Sequence, residues 1–203
     1  MGQRSLLVIG YKTYEGRKDP ENVTNHRIAR HFQWNYGHFM ILRAAQVAEL
    51  MATTQADRYY WMDAPSHATG ATVTFCVNRT TGNVQGFHRM ADESAQPIAN
   101  HDNNNGAFLL DIGPEGEWSF GFLIGHEDGG DLETIATASE YLIAARDTPE
   151  WLRSQGENDR ADAVERALTT LQEFERGGHA MNQATADRLA LPVASDGKQS
   201  ALI

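Results

Sequence analysis

The chain has 203 residues, of which 41% are hydrophobic and 22% charged, and its formal net charge is −10 at pH 7. This composition is typical of a folded globular domain and excludes a disordered or repeat protein. The charge is uneven, because residues 1–43 carry seven Lys or Arg against three acids, whereas residues 44–203 carry ten against 24. A chain this acidic repels DNA, RNA and anionic lipid, so we expect neither bulk nucleic-acid binding nor membrane binding.

The sequence carries no signal for disulfides, secretion or a membrane span. Cys76 is the single cysteine, so neither an intramolecular disulfide nor a thiolate metal cage can form. The apolar run near the N-terminus is too short for a signal peptide, and no stretch reaches the roughly 18 apolar residues of a membrane-spanning helix. We therefore predict a cytoplasmic protein.

The first part of the chain predicts a strand, a loop and a cationic segment. Residues 5–11 form an apolar, β-branched run that is typical of a buried strand, and the polar stretch 15–21 fits a loop after it. The next segment, residues 26–39, holds three His, two Arg and four aromatic residues. We call it the basic aromatic segment, because it combines cations, hydrogen-bond donors and stacking faces that suit an anionic or planar partner.

Side-chain alternation in the basic aromatic segment favours a strand that begins at Thr24. In this strand Arg27 and His31 share one face and Arg30 lies on the other, although helical spacing also fits part of the segment. Beyond Gly37, apolar residues recur at helical spacing and predict an amphipathic helix.

Two hairpins and a helical region follow. Turn-forming residues separate short apolar runs in two places, which predicts four further strands. These strands are residues 71–78, 84–89, 107–112 and 118–124. Thr148 followed by Pro149 predicts the start of a helix, and a longer helix with an apolar stripe ends at Gly177 and Gly178.

Hairpin strands followed by helices indicate an α+β fold with a mainly antiparallel sheet, one helix after the second strand and a helical C-terminal third. We predict a single α+β domain over residues 1–190, with a strand part at about 1–125 and a helical part at about 132–190. Beyond about Leu191 the chain becomes small and polar, from Pro192 to Ser200, and we expect a flexible tail at residues 191–203.

The histidines do not indicate a metal site. His26 and His31 are five residues apart, which puts them on opposite faces of a strand and well apart around a helix. The chain has no Walker loop, no dinucleotide glycine pattern and no nucleophile elbow. We predict no metal and no cofactor, and we favour a protein that is not an enzyme.

An acidic segment after the last predicted strand gives a catalytic alternative. His126, Glu127, Asp128 and Asp131 follow that strand, at a position where catalytic side chains often lie. They would serve a small metal- or acid/base-dependent hydrolase, with His126 as the base. The same residues also describe a solvated acidic turn.

The basic aromatic segment is the better candidate for a binding site, because exposed Trp, Tyr and Arg are enriched at binding hot spots. The structural alternative is that its aromatic residues pack in the core and its cations are solvated. The candidate binding residues are Arg27, Arg30, His31, Trp34, Tyr36 and His38. We expect Arg27, Arg30 and His31 to form an exposed cationic spot on an acidic protein.

Three segments of the chain resemble small uncharacterised proteins carried by phages and prophages of Gram-positive bacteria. They are residues 4–10, residues 32–37 and residues 103–111, with a Gln-Trp-x-Tyr-Gly element and an Asn-Asn-x-Gly turn. The resemblance implies an accessory phage protein that antagonises host defence by stoichiometric binding, as proteins similar to anti-CRISPRs and those that sequester nucleotide signals do. It implies no catalytic residue.

Our first functional hypothesis is therefore a non-enzymatic binding protein of a phage or mobile element, acting in the host bacterial cytoplasm against a host defence system. Its partner would be a host protein complex or an anionic small ligand, and a helix face or a sheet edge would allow a homodimer. The alternatives are the hydrolase described above and a virion or assembly component.

Overall fold

A computed structural model of the chain describes its residues in nine ranges. These are 4–14, 23–33, 36–53, 59–66, 71–78, 84–87, 106–113, 116–124 and 134–190. The strands are β1 (Arg4–Tyr14), β2 (Val23–Gln33), β3 (Tyr59–Ser66), β4 (Ala71–Asn78), β5 (Val84–Phe87), β6 (Ala107–Ile112), β7 (Trp118–Leu123) and β8 (Ile135–Ala136). The α-helices are α1 (His38–Thr53), α2 (Ala138–Ala144), α3 (Pro149–Ser154), α4 (Asn158–Phe174) and α5 (Gln183–Ala190).

The main sheet has five strands in the order β2-β1-β6-β7-β8. β1 pairs with β2 in antiparallel register and with β6 in parallel register, whereas β6–β7 and β7–β8 are antiparallel. The α+β fold is confirmed, but the prediction of a mainly antiparallel sheet is wrong, because the sheet is mixed. The physical reason lies in β1 and β6, which are central strands with apolar residues buried on both faces, the environment in which parallel pairing occurs.

The main sheet separates two hydrophobic cores. Leu7 and Ile9 of β1 pack in the core shared with α1, α2, α3 and α4. Leu6 and Val8 of the same strand pack in a smaller core with Leu189 of α5. Successive side chains of a strand point to opposite faces, so an uninterrupted apolar run is what a strand between two layers requires.

The predicted helical C-terminal third is confirmed. Thr148 caps α3, since its side chain accepts a hydrogen bond from the Trp151 amide and Pro149 occupies the first helical turn. α4 passes into a π-helical turn, Glu175–His179, in which Gly178 has a φ of +92°. A glycine in this left-handed region ends the helix, as the sequence predicts.

A second sheet contains β3, β4 and β5 in that order, with antiparallel pairing throughout. β4 and β5 confirm the first predicted hairpin, and β6 and β7 confirm the second. The strand interpretation of the segment after Thr24 is also confirmed, as is the helix that follows it. The sequence analysis did not identify β3, and residues 191–203 lie outside the described ranges.

Candidate functional site

The structure divides the basic aromatic segment between β2 and the start of α1. Arg27 lies in β2, and its side chain is buried rather than exposed, with only 6% of its surface accessible. Its Nη1 donates a hydrogen bond of 2.8 Å to the backbone oxygen of Leu189 in α5. The expectation that Arg27 belongs to an exposed cationic spot is therefore wrong, because this guanidinium holds a helix against the sheet.

A buried carboxylate lies two strands away from Arg27. The sheet register places Arg27 opposite Gly10 of β1 and Gly10 beside Asp111 of β6, so the three residues form one row across the sheet. Gly10 leaves room in this row, because a Cβ built there would overlap the Leu189 side chain and approach Asp111 Oδ1 to 2.7 Å. Glycine at this position therefore allows α5 to lie directly on the sheet.

Two cations share the Asp111 carboxylate, and we call Lys12, Asp111 and Arg188 the Asp111 cluster. Lys12 Nζ lies 3.4 Å from Oδ2, and Arg188 Nη2 lies 2.7 Å from the same oxygen as an ion pair without aligned hydrogen-bond geometry. Asp111 is buried, whereas the side chains of Lys12 and Arg188 are 28% and 31% exposed. Among the described residues, Oδ1 of Asp111 has no hydrogen-bond partner. The cluster is therefore cationic overall and partly open to solvent.

The second part of the basic aromatic segment forms a buried contact at the first turn of α1. His38 Nδ1 lies 2.5 Å from Asp147 Oδ2, and the His38 backbone amide donates to the same oxygen at 2.8 Å. The Gly37 amide donates to the Tyr141 hydroxyl at 3.0 Å. Both amides belong to the group at a helix N-terminus that has no partner within the helix. Asp147 and Tyr141 therefore cap α1 from another part of the chain.

This capping requires glycine at position 37 for two reasons, the backbone conformation and the space beside it. Its φ is +58°, in the left-handed region that favours glycine, and a Cβ at this position would overlap the Asp147 carboxylate. Tyr141 beside it is fully buried. Burial raises the pKa of the Tyr141 hydroxyl far above its usual range, the Gly37 amide lowers it, and nearby Tyr36 and Asp147 raise it further.

The His38–Asp147 pair has the connectivity of a general-base dyad, because a carboxylate holds Nδ1 and no described residue forms a hydrogen bond with Nε2. However, His38 is 6% exposed and its Nε2 is buried, so the described conformation gives a substrate no access to the nitrogen that would act as the base. The arrangement therefore supports helix capping more strongly than proton transfer.

The remaining predicted site residues either have a described position in the fold or lie outside the described ranges. Arg30 and His31 lie in β2, opposite Leu7 and Leu6 of β1 in the register. Tyr36 is half-buried just before α1. Trp34 lies outside the described residues, as do all four residues of the hydrolase alternative, namely His126, Glu127, Asp128 and Asp131. Within the ranges that the structure describes, no group of three or more His, Cys, Asp or Glu could hold a metal ion.

Sequence reasoning missed the residues that partner the basic aromatic segment. Asp111 had a usable signal, because a charged residue inside the apolar run of β6 is rarely buried without a partner. Asp147 had none, since an acid in a turn between two helices is ordinarily solvated. Its role depends on α1, which is more than 100 residues earlier in the chain.

No family model, no curated protein sequence and no solved structure matches this chain. No helix in the described part of the chain is both long enough and apolar enough to cross a membrane.

Proposed function

We propose that the protein is a non-enzymatic binding protein of a phage or mobile element, and that it antagonises a host defence system by stoichiometric binding. The phage context comes from the resemblance of three segments to phage and prophage proteins. Two features support a binding mode, namely the uneven distribution of charge over the fold and the occupation of its polar clusters by contacts within the fold.

The observation that carries the proposal is the cationic edge of the main sheet. β1 and β2 together carry four Lys or Arg and no Asp or Glu. Residues 134–190, which contain α2 to α5, carry six Arg and ten Asp or Glu. A cationic edge on an acidic protein attracts an anionic partner to one place and repels it elsewhere, which favours a defined complex over general adhesion.

The described polar clusters favour binding over chemistry. Asp147 is occupied by His38, Arg27 by a helix carbonyl, and Asp111 by two cations. Each contact holds one element of the fold against another. The partly exposed Lys12 and Arg188 retain cationic groups at the surface, and these suit an anionic small ligand or an acidic protein surface.

Calorimetry and size-exclusion chromatography against reconstituted host nuclease complexes and cyclic nucleotides test the proposal. We expect one of these partners to bind at fixed stoichiometry. Arg30→Glu in β2 should weaken that binding by about tenfold or more, whereas Arg166→Glu, an equal charge change on the exposed face of α4, should change it by less than about twofold.

Failure of every such partner to bind would overturn the proposed function. Equal loss of affinity in Arg30→Glu and Arg166→Glu would show that net charge, rather than the cationic edge, controls binding. Arg27 is unsuitable for this comparison, because its replacement removes the hydrogen bond to Leu189 and disturbs the fold.

A further inference from the structure

β2 is a long edge strand. It stands at one end of the main sheet and contains 11 residues, whereas the strand at the other end, β8, contains two. At about 3.3 Å per residue, β2 presents roughly 36 Å of backbone along its outer edge. Among the described elements only β1 pairs with it. Every second backbone amide and carbonyl of β2 is therefore directed away from β1, and no described strand pairs with this outer row.

Natural proteins usually protect an edge strand from pairing with other chains by proline, a bulge, short length or charge. β2 lacks the first three of these features. The strand contains no proline. Its register with β1 is uninterrupted from Arg4↔Gln33 to Tyr14↔Val23, so no bulge twists the edge away. The strand is also about twice the usual length. Charge is the protective feature that the strand itself retains.

The charge of β2 has one sign. The strand contains two Arg, two His and no Asp or Glu. Directly opposite residues of an antiparallel pair share one face, so a pairing of two copies centred on Ala29 would bring Arg27 opposite His31. β2 holds no acidic residue, so its charge pattern gives a second copy of this chain no opposite-charge pair across the strands. The same pattern attracts a strand rich in Asp or Glu.

We propose that the outer edge of β2 binds an acidic, extended segment of a partner protein as an additional strand of the main sheet. The inference rests on the proposed function and deepens it by giving the class of partner and the mode of binding. In strand addition the main-chain hydrogen bonds supply affinity and the alternate side chains supply specificity. Here the specificity comes from acidic residues of the partner in the net positive field of β2, which holds no acidic residue of its own.

Synthetic peptides of alternating Glu and Val, about as long as β2, test the proposal with the full-length protein. The matched control replaces every Glu with Lys. We expect the acidic peptide to bind at least about tenfold more tightly than the basic peptide in fluorescence anisotropy. Its affinity should fall as the salt concentration rises from about 0.05 to 0.5 M.

N-methylation of the acidic peptide separates strand addition from simple charge attraction. A strand added to β2 uses every second amide of the peptide, so methylating one alternate set of amides should abolish binding and methylating the other set should leave it. Binding that survives both modifications would overturn strand addition, since it would show contact through charge alone. Absence of binding by the acidic peptide would also overturn it.

The outcomes distinguish this inference from the proposed function. If a host complex binds but neither the acidic peptide nor its methylated forms behave as described, strand addition fails and the proposed function stands. If the acidic peptide binds in the expected pattern while every host complex and nucleotide fails, the docking edge stands and the proposed role in host defence fails.

Discussion

At the scale of single residues, the start of α1 depends on a glycine that admits a distant carboxylate. Gly37 has a φ of +58°, and its missing Cβ leaves the space that the Asp147 carboxylate occupies. That carboxylate accepts hydrogen bonds from the amide and the ring of His38. A buried carboxylate with two such donors is well compensated, whereas the same group without them is costly.

We predict that Gly37→Ala lowers the free energy of unfolding by about 1–2 kcal/mol more than Gly178→Ala does. Both glycines have positive φ, so both substitutions bear a backbone cost. Only Gly37 adds a steric conflict, because no atom lies within 4 Å of a Cβ built on Gly178. Urea denaturation of the two variants measures the difference. Equal losses would contradict the tight approach of Asp147 to Gly37.

A second residue-scale prediction concerns Tyr141 at alkaline pH. Burial raises the pKa of its hydroxyl in the folded protein above the value of about 10 in the unfolded chain. The resulting stability is present in full below pH about 10 and is lost as the pH rises through the folded value. Tyr141→Phe should therefore show a smaller loss of unfolding free energy between pH about 10 and 11 than the parent, by up to about 1.4 kcal/mol per pH unit.

The Tyr141→Phe comparison uses urea denaturation at each pH, so the remaining tyrosines and lysines affect both proteins equally. The variant also loses the acceptor for the Gly37 amide, which lowers its stability by about 1–3 kcal/mol at every pH. That constant offset does not change the slope. Identical slopes in the two proteins would contradict a buried, neutral Tyr141.

At the scale of elements, α5 is attached to the main sheet by a small core and by polar contacts at its C-terminal end. Leu189 and Ala186 pack against β1 and β6, the Leu189 carbonyl accepts from Arg27, and Arg188 pairs with Asp111. The attachment requires Gly10, where the helix approaches the strand most closely. A short helix of eight residues has little intrinsic stability, so these tertiary contacts determine whether it forms.

We predict that Gly10→Ala displaces α5 while leaving α4 in place. The added Cβ would overlap Leu189, so amide hydrogen exchange within α5 should accelerate by about tenfold or more, equivalent to about 1.4 kcal/mol of local opening. The control is Gly177→Ala, whose new Cβ would have His179 Cδ2 at 3.9 Å as its nearest neighbour. Unchanged exchange in α5 would contradict the close contact with β1.

The sequence predicted most of the described elements but not how the strands assemble. Local alternation identified β2, and turn residues identified the hairpin of β6 and β7, because these signals lie within a few neighbouring residues. The parallel pairing of β1 with β6 joins segments about 100 residues apart, and local pattern carries no information about it. The continuous apolar runs of both strands indicated burial on two faces, but not which strand would be the neighbour.

The candidate site was only partly predictable for the same reason. Arg27 and His38 were identified from their residue types, but the partners that bury them, Leu189 and Asp147, are more than 100 residues away in sequence. An arginine with a distant carbonyl acceptor and an arginine in solvent have the same local pattern. Whether a cation is exposed could therefore be determined only from the fold, whereas the cationic character of β2 could be predicted from the sequence alone.

At the scale of the whole molecule, the positively charged and the negatively charged parts of the chain occupy different elements of the fold. The cationic hairpin of β1 and β2 forms one edge of the main sheet, and the acidic helices follow much later in the chain. β2 is long, uninterrupted in its pairing with β1 and free of acidic residues, and it is the edge of the main sheet at which we propose that an acidic strand binds. Both the proposed binding function and its mode depend on this edge.

Residue-resolved amide hydrogen exchange of the full-length protein, with and without the acidic Glu–Val peptide, tests that edge most directly. We predict that alternate amides of β2 slow by about tenfold or more when the peptide is bound, while the amides between them, already paired with β1, and those of α4 keep their rates. Protection located in α4, or peptide binding without any change in β2, would contradict β2 as the docking edge.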